Sequence, residues 1–162
     1  MKRILSSIFV AFFFLLNAAA QNESEFELTV SKSTDLKKVE ITQKGRTRNQ
    51  AIIGKKRVVQ MFGTDTFWKN TIESIRNRYI PSEKVSKLKS LKSRLEIHLT
   101  IDYQGNILFE KLVTDEAVLD ELTETCLMDI YREFIGMKIP MPHTIKDTEF
   151  VEGFIYILDP HH

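Results

Sequence analysis

The sequence contains only one cysteine, Cys126, among its 162 residues. A single cysteine excludes a disulfide framework within the chain and a zinc site built from several cysteines. The sequence also lacks a Walker-type phosphate loop and the G-x-G-x-x-G, G-x-S-x-G and H-E-x-x-H motifs. These absences exclude the nucleotide-binding, hydrolytic and metal-dependent enzyme classes that short motifs identify.

Proline and glycine are also scarce, with four and six residues respectively. Neither type is clustered into a linker of the kind that separates domains, and the length fits a single domain. The chain is 43% hydrophobic and 28% charged, with a formal net charge of +1. This composition is typical of a globular protein rather than a disordered one.

The near-neutral total hides two segments of opposite charge. Residues 32–94 hold 17 Lys and Arg against 5 Asp and Glu, whereas residues 95–162 hold 4 against 14. We favour attraction between the two segments within one fold. The alternative is that the basic segment binds an anionic surface, for which the candidate contacts are Lys55, Lys56, Arg57, Lys84 and Lys87. No nucleic-acid partner is expected, because no aromatic side chains interleave with the second basic cluster to stack on bases.

The amino terminus has the pattern of an export signal. Lys2 and Arg3 precede the 13-residue apolar run Ile4–Leu16, and Ala18 and Ala20 offer small side chains to a signal peptidase. A retained membrane anchor is the alternative, but a spanning helix needs about 20 apolar residues. We therefore expect residues 1–20 to be cleaved. The protein would then be periplasmic or secreted and not integral to the membrane.

Residues 21–62 are predicted to form an amino-terminal extension of short strands. Residues 26–30 and 39–41 alternate apolar and polar side chains, as half-buried strands do. Polar and basic residues around Gly45 indicate a loop. Residues 52–53 and 58–59 are predicted as further short strands on either side of a turn.

Residues 63–162 are predicted to form an α+β domain. Thr64 or Asp65 can cap a helix that Pro81 ends. Residues 95–103 then alternate strongly, and Gly105 makes a hairpin turn to a returning strand over 107–113. A second helix, with Cys126 on its apolar stripe, extends to Gly136, and a final strand covers 150–158. This order predicts an antiparallel sheet with two helices packed on one face.

No residue pattern indicates catalysis, a cofactor or a metal site. Asp102 shares the polar face of a strand with His98, but four residues of strand place it about 13 Å away. Cys126 lies on an apolar helix stripe without a cation at helical spacing, which is typical of a core thiol. His143 has no acid or cysteine at ligand spacing, and His161 and His162 end the chain. We therefore expect a protein without enzymatic activity.

The order of elements resembles the carboxy-terminal domain of TonB and its periplasmic relatives. Four features carry the resemblance: the helix end Tyr79-Ile80-Pro81, the hairpin Ile97–Ile107, the helix opened by Leu119-Asp120, and the segment Met137-Lys138-Ile139-Pro140. Together they cover residues 66–158. The proline-rich spacer of the founding TonB proteins is absent here, so the resemblance implies their binding mode rather than their energy coupling.

TonB-like domains bind an extended peptide of an outer-membrane receptor along an open sheet edge. The resemblance therefore implies a protein or peptide partner in the bacterial envelope, bound by strand addition to the last strand. The expected partner-binding residues are Phe150, Glu152, Phe154 and Tyr156. Two alternatives remain open: that this strand is core, and that the protein is a secreted scaffold. A homodimer is also left open.

Overall fold

The computed structural model describes residues 28–33, 37–58, 66–140 and 145–159. Several sequence predictions lie outside these ranges. They are the signal peptide, the helix cap at Thr64 or Asp65, and the terminal or loop histidines His143, His161 and His162. Within the described ranges, no helix has both the length and the apolar character needed to span a bilayer.

Six strands form one sheet in the order β1-β2-β5-β4-β6-β3. The strands are β1 (Leu28–Ser33), β2 (Lys38–Gln43), β3 (Lys56–Val58), β4 (Leu95–Asp102), β5 (Ile107–Asp115) and β6 (Glu149–Leu158). The α+β class is confirmed. The strands of residues 63–162, β4, β5 and β6, pair antiparallel as predicted. The whole six-stranded sheet is mixed, because β3 of the predicted extension pairs with β6 in parallel.

Residues on both sides of position 62 contribute to this sheet. The strand β2 pairs with β5, and β3 pairs with β6, so strands of the predicted extension flank the central β5-β4-β6 unit. Whether residues 63–162 fold independently stays a prediction. The short strand expected at Ile52 and Ile53 is wrong. Those residues follow a short helix, α1 (Arg48–Ala51), which begins at Thr47 with a capping box.

Four further helices are α2 (Thr66–Tyr79), α3 (Ser82–Ser90), α4 (Glu116–Glu121) and α5 (Glu124–Arg132). The single helix predicted around Cys126 is therefore two helices. The chain is extended at Leu122, with ψ of 132°, and the Thr123 side chain accepts a hydrogen bond from the Cys126 N–H. A threonine at this position starts a new helix because its hydroxyl satisfies an amide that has no partner within the helix.

The core lies between one face of the sheet and α2 to α5. Alternate residues of a strand share one face, and Ile97, Leu99 and Ile101 of β4 are all at most 1% exposed. They pack in one cluster with buried side chains of every one of these helices: Trp68, Ile72, Ile75, Leu88, Val118, Leu127, Ile130 and Tyr131. The sequence predicted two helices on one face of the sheet, whereas α2 to α5 all pack on that face.

The hairpin between β4 and β5 depends on Gly105, as the sequence predicts. Gly105 has φ of +83°, and a Cβ built there would lie 1.9 Å from the carbonyl oxygen of Ile139. The Asp102 carboxylate accepts hydrogen bonds from the backbone N–H groups of Gln104 and Asn106, both at 2.9 Å. These contacts fix the turn. The candidate site lies on the face of the sheet opposite the helices, which is called here the open face.

Candidate functional site: the outer edge of β6 and the adjoining groove

The strand β6 is second from one end of the sheet. The short strand β3 pairs only with Glu149, Phe150 and Val151, whereas β4 pairs with β6 from Phe150 to Leu158. From Glu152 to Leu158, no strand within the described ranges pairs with β6 on the side away from β4. This stretch is called here the outer edge.

The backbone groups of alternate residues point to this outer edge. The N–H of Lys56 donates to the carbonyl of Thr148 over 2.8 Å, so Thr148 faces β3. Residues two apart in a strand direct their N–H and C=O groups to the same side. Glu152, Phe154 and Tyr156 therefore direct their hydrogen-bonding groups away from β4. An exposed edge of this kind is a template for another strand.

The same residues direct their side chains to the open face. Phe154 is 49% exposed. Its ring stacks on His98 with centroids 5.6 Å apart and meets Tyr156 edge-on at 5.4 Å. These three rings are called here the aromatic ledge. They form an apolar surface directly beside the backbone groups of the outer edge that point away from β4.

Phe150, the fourth predicted partner-binding residue, lies outside this surface, and a partner-binding role for it stays a prediction. Its backbone faces β3, because it lies two residues after Thr148, whose carbonyl accepts from Lys56 of β3, and its side chain is only 3% exposed. The extent of β3 could not be read from the sequence, since three residues carry no periodic pattern. Glu152, Phe154 and Tyr156 are the predicted residues that the structure places on the outer edge.

A groove of about 690 Å³ lies on the open face, between the sheet and the segment around α1. Its lining includes Glu152, Gly153 and Phe154 of β6, so it is continuous with the outer edge. The charged side chains that line it are Arg46, Arg48, Arg57, Lys111, Glu40 and Glu152. Four cations against two carboxylates leave an excess of two positive charges. Sequence analysis missed this groove, because its residues come from five separate parts of the chain.

Glu152 is shared by two arginines. Arg48 binds it through both Nε and Nη2, the latter 2.9 Å from Oε2, and Nε of Arg57 lies 3.5 Å from the same oxygen. The hydrogen bond from Arg48 is the main cause that holds the pKa of Glu152 below its ordinary value, against an opposing effect of burial. One guanidinium charge at this end of the groove therefore has no second carboxylate to balance it.

The other two groove cations are also held in place. Arg46 donates to the Leu108 carbonyl at 2.6 Å and to Glu110 at 3.3 Å, and Lys111 donates to Glu40 at 2.9 Å. Each contact joins residues distant in sequence. The Glu110 carboxylate lies outside the groove lining but pairs with Arg46, so one positive charge remains in excess when it is counted.

His98 is paired with Glu96, not with Asp102. Its Nε2 lies 2.9 Å from Oε1 of Glu96, two residues earlier on the same face. Burial raises the pKa of Glu96, but the hydrogen bond and the charge of His98, together with the charges of Arg94 and Lys38, outweigh burial and hold the pKa below its ordinary value. The strand period of two could have identified this pair from the sequence. Among the described residues, no group of three His, Cys, Asp or Glu side chains is arranged to hold a metal.

The five basic candidates lie on two elements. Lys84 donates to the Glu121 carbonyl, Lys87 lies 2.6 Å from the Glu121 carboxylate, and Arg57 contacts Glu152. Lys55 directly precedes β3, and Lys56 is the first residue of that strand. Three of the candidates are thus engaged within the fold, and their binding to an anionic surface stays a prediction.

Contacts within the fold support the attraction expected between the two charged segments. Six ion pairs of the described residues join a cation of residues 32–94 to a carboxylate of residues 95–162. They are Arg46–Glu110, Arg48–Glu152, Arg57–Glu152, Arg78–Glu133, Lys87–Glu121 and Arg94–Asp115. The basic and acidic segments therefore face each other at several places.

Cys126 is a partly buried thiol packed against the core. Its Sγ lies 3.4 Å from the Tyr79 carbonyl, to which the thiol donates. Burial, reinforced by the charge of Asp129, raises the pKa of Cys126. The thiolate is thus disfavoured at neutral pH, as expected of a core thiol.

Neither a protein-family model nor a curated protein sequence matches this chain. Among solved structures, the chain is similar to a DUF5043 family protein from Bacteroides uniformis. The two are 10% identical with a TM-score of 0.54, over 85% of this chain and 88% of that one. At this identity the likeness concerns the fold alone, and it supports the α+β architecture described above.

Proposed function

We propose that this protein is a non-enzymatic binding module of the bacterial envelope that binds an extended peptide by strand addition along the outer edge of β6. The observation that carries the proposal is the absence of a strand partner for Glu152–Leu158 on the side away from β4, within the described residues. This binding mode is the one that the resemblance to TonB carboxy-terminal domains implies. The support comes from the edge itself.

Two physical properties of the edge favour this mode. Backbone N–H and C=O groups that point outward give an added strand its main-chain hydrogen bonds, and alternate side chains of the peptide then provide selectivity. The aromatic ledge supplies apolar surface next to these groups, with Phe154 49% exposed. Exposed aromatic side chains are enriched where proteins bind one another.

The proposed location follows from the amino-terminal sequence. Expression of the full chain in a bacterium and mass spectrometry of the product test it. We expect a mature chain that begins at Gln21 and is released with the periplasmic fraction. A product that retains residues 1–20 and stays with the membrane fraction would support the anchor alternative instead.

The binding mode is tested by selecting random peptides displayed on phage against the mature protein. The decisive variant is Phe154→Pro, because proline removes an N–H that points outward and therefore leaves the pairing with β4 intact. The matched control is Phe154→Ala, which removes the same ring but keeps the amide. Thermal unfolding of both variants checks that the fold survives.

We expect enriched peptides to lose binding to Phe154→Pro almost completely and to bind Phe154→Ala with an intermediate affinity. Selection without any enriched sequence overturns the proposal. Equal affinities of the enriched peptides for the wild-type protein and the proline variant also overturn it, because binding would then not use the edge.

A further inference from the structure

We infer that the end of the sheet at which β6 begins docks on an anionic lipid bilayer, with the Ile53 side chain inserted among the lipids and Lys55 and Lys56 on their headgroups. This inference goes beyond peptide binding and does not depend on it. It follows from an exposed apolar turn, from the charge around that turn, and from a second exposed side chain at the same end of the sheet.

Ile53 lies at the tip of the turn between α1 and β3. The N–H of Lys55 donates to the Ile52 carbonyl over 3.0 Å and closes the turn. The Ile53 side chain is 77% exposed, more than any other large hydrophobic side chain in the described ranges. The turn precedes β3, so it lies at the opposite end of that strand from Val58. Transfer of such a side chain from water into a bilayer is favourable.

The segment that carries the turn is basic throughout. Residues 44–57 hold six Lys and Arg and no Asp or Glu. The three arginines contact Glu110 or Glu152, whereas Lys55 and Lys56 form no ion pair within the described part of the chain. These two lysines follow the apolar tip directly. An apolar side chain flanked by lysines is typical of segments that bind a bilayer surface.

The neighbouring loops retain a positive excess. Lys138 forms a backbone bridge with Asn106 of the hairpin, and Lys146 lies just before β6. With residues 44–57, these two lysines make eight cations. The carboxylates that lie at this end or pair with these cations are Asp102, Glu110, Asp147, Glu149 and Glu152. Three positive charges therefore remain in excess, and they attract anionic lipid.

A second exposed side chain lies at the same end of the sheet. Tyr103 directly follows β4, whose last residue, Asp102, is the register partner of Phe150. Lys56, the first residue of β3, is the register partner of Glu149. The hairpin and the Ile53 turn therefore both lie beside the start of β6. Tyr103 is 39% exposed, and tyrosine is enriched where a membrane meets water.

The exposed isoleucine distinguishes a bilayer from other anionic surfaces. A nucleic acid or an acidic polysaccharide would bind the lysines and leave Ile53 in water. A bilayer offers phosphate groups to the lysines and hydrocarbon to the isoleucine. Both kinds of side chain should therefore contribute to binding.

The test measures sedimentation of the mature protein with vesicles of phosphatidylcholine, alone or mixed with phosphatidylglycerol, at low and high salt. The apolar variant is Ile53→Ser. Its matched control is Leu91→Ser, because Leu91 is also exposed, at 53%, but lies at the end of α3. Thermal unfolding of every variant checks the fold.

The charge variant combines Lys55→Gln with Lys56→Gln. Its matched control combines Lys69→Gln with Lys89→Gln, which removes the same net charge from exposed positions of α2 and α3. A third variant, Ile53→Trp, places a fluorescent side chain at the tip of the turn.

We expect binding to the vesicles that contain phosphatidylglycerol, weakened by salt, and no binding to phosphatidylcholine alone. Ile53→Ser and the Lys55/Lys56 double variant should each weaken binding about tenfold. Both controls should bind nearly as the wild-type protein does. Ile53→Trp should retain binding, and its emission should shift to shorter wavelength when anionic vesicles are added.

Absence of binding to the vesicles with phosphatidylglycerol overturns this inference. Equal effects of Ile53→Ser and Leu91→Ser, or of the two lysine pairs, overturn it as well, because binding would then not use this turn. Binding that needs the lysines but not Ile53 also overturns it, since the surface would then bind any polyanion. In each of these outcomes the strand-addition proposal stands, because Phe154→Pro tests it separately.

Discussion

The hydroxyl of Tyr131, on helix α5, donates a hydrogen bond to Oε1 of Glu110, on strand β5, over 3.2 Å. Glu110 is only 2% exposed. The same hydroxyl accepts a hydrogen bond from the backbone N–H of Gln43 at 3.0 Å. This contact places a carboxyl group in the core, with Arg46 as its nearest cation at 3.3 Å. Burial raises the pKa of Glu110 and outweighs the opposing charge of Arg46.

Glu110→Gln should be at least as stable as the wild-type protein at neutral pH. Glutamine keeps an oxygen that can accept the Tyr131 hydroxyl, and it removes the cost of burying a charge. Arg46 keeps its hydrogen bond to the Leu108 carbonyl. Because the folded pKa of Glu110 is raised, the wild-type protein gains stability relative to the variant as the pH falls. Urea unfolding across the acid range measures the difference.

The difference between the two proteins should disappear below the ordinary pKa of 4.5, where the wild-type carboxyl is neutral in both states. A variant that is clearly less stable than the wild-type protein at neutral pH would contradict this interpretation. It would mean that the ion pair with Arg46 contributes more than the burial of Glu110 costs.

Gly105→Ala should destabilise the fold by about 2 kcal/mol or more, from a left-handed backbone together with a steric clash. The added Cβ would lie 1.9 Å from the Ile139 carbonyl oxygen. Gly45→Ala is the matched control, since Gly45 has φ of +77° but no atom within 4 Å of an added Cβ. It should cost only about 1 kcal/mol. Equal losses in urea unfolding would show that the contact with Ile139 is unimportant.

Patterns that repeat over many residues predicted most of the fold. Residues 95–103 alternate strictly, and the structure has β4 over Leu95–Asp102 followed by the turn at Gly105. The parallel pairing of β3 was not predictable, because Lys56–Val58 is too short to show a period. The break at Leu122 was missed because the apolar stripe continues through it, and only the capping hydroxyl of Thr123 marks it.

Glu152→Gln should lower the stability at neutral pH by up to about 1 kcal/mol, because the side chains of its ion pair with Arg48 remain partly exposed. The folded pKa of Glu152 is lowered chiefly by the hydrogen bond from Arg48. Its contribution is therefore complete above the ordinary value of 4.5 and is lost as the pH falls through the folded pKa. Thermal unfolding as a function of pH measures this loss.

Asp120→Asn is the control for the pH series of Glu152→Gln, since Asp120 is an exposed acidic residue of α4. It should leave the pH dependence of stability close to that of the wild-type protein. If Glu152→Gln also unfolds with the wild-type pH dependence, then Glu152 does not hold Arg48 and Arg57 as described.

Cys126 should react slowly with iodoacetamide in the native protein. The thiol is partly buried, donates to the Tyr79 carbonyl, and has a pKa that burial raises. The unfolded chain in urea should react at the rate of an ordinary thiol. Mass spectrometry follows both reactions. Equal native and unfolded rates would place Cys126 outside the core and reopen it as a nucleophile.

The candidate site was predictable only in part. Phe154 and Tyr156 were predicted to bind a partner, because they lie in a long apolar strand and the resemblance to TonB-like domains implies binding along that strand. Arg48 could not be, since it contacts Glu152 from 104 positions away in sequence. Such a pair depends on which strands become neighbours. The sequence supplied the charges of the groove, and the order of strands in the sheet brought them together.

Amide hydrogen exchange at Phe154 and Tyr156 tests strand addition most directly. Both N–H groups point away from β4, so they should exchange fast in the free protein, whereas Ile155, which faces β4, should be protected. With a selected peptide at about 100 times its Kd, Phe154 and Tyr156 should become protected about 100-fold, and Ile155 much less. Bound peptide that leaves the Phe154 and Tyr156 amides exchanging at their free rates would contradict the account.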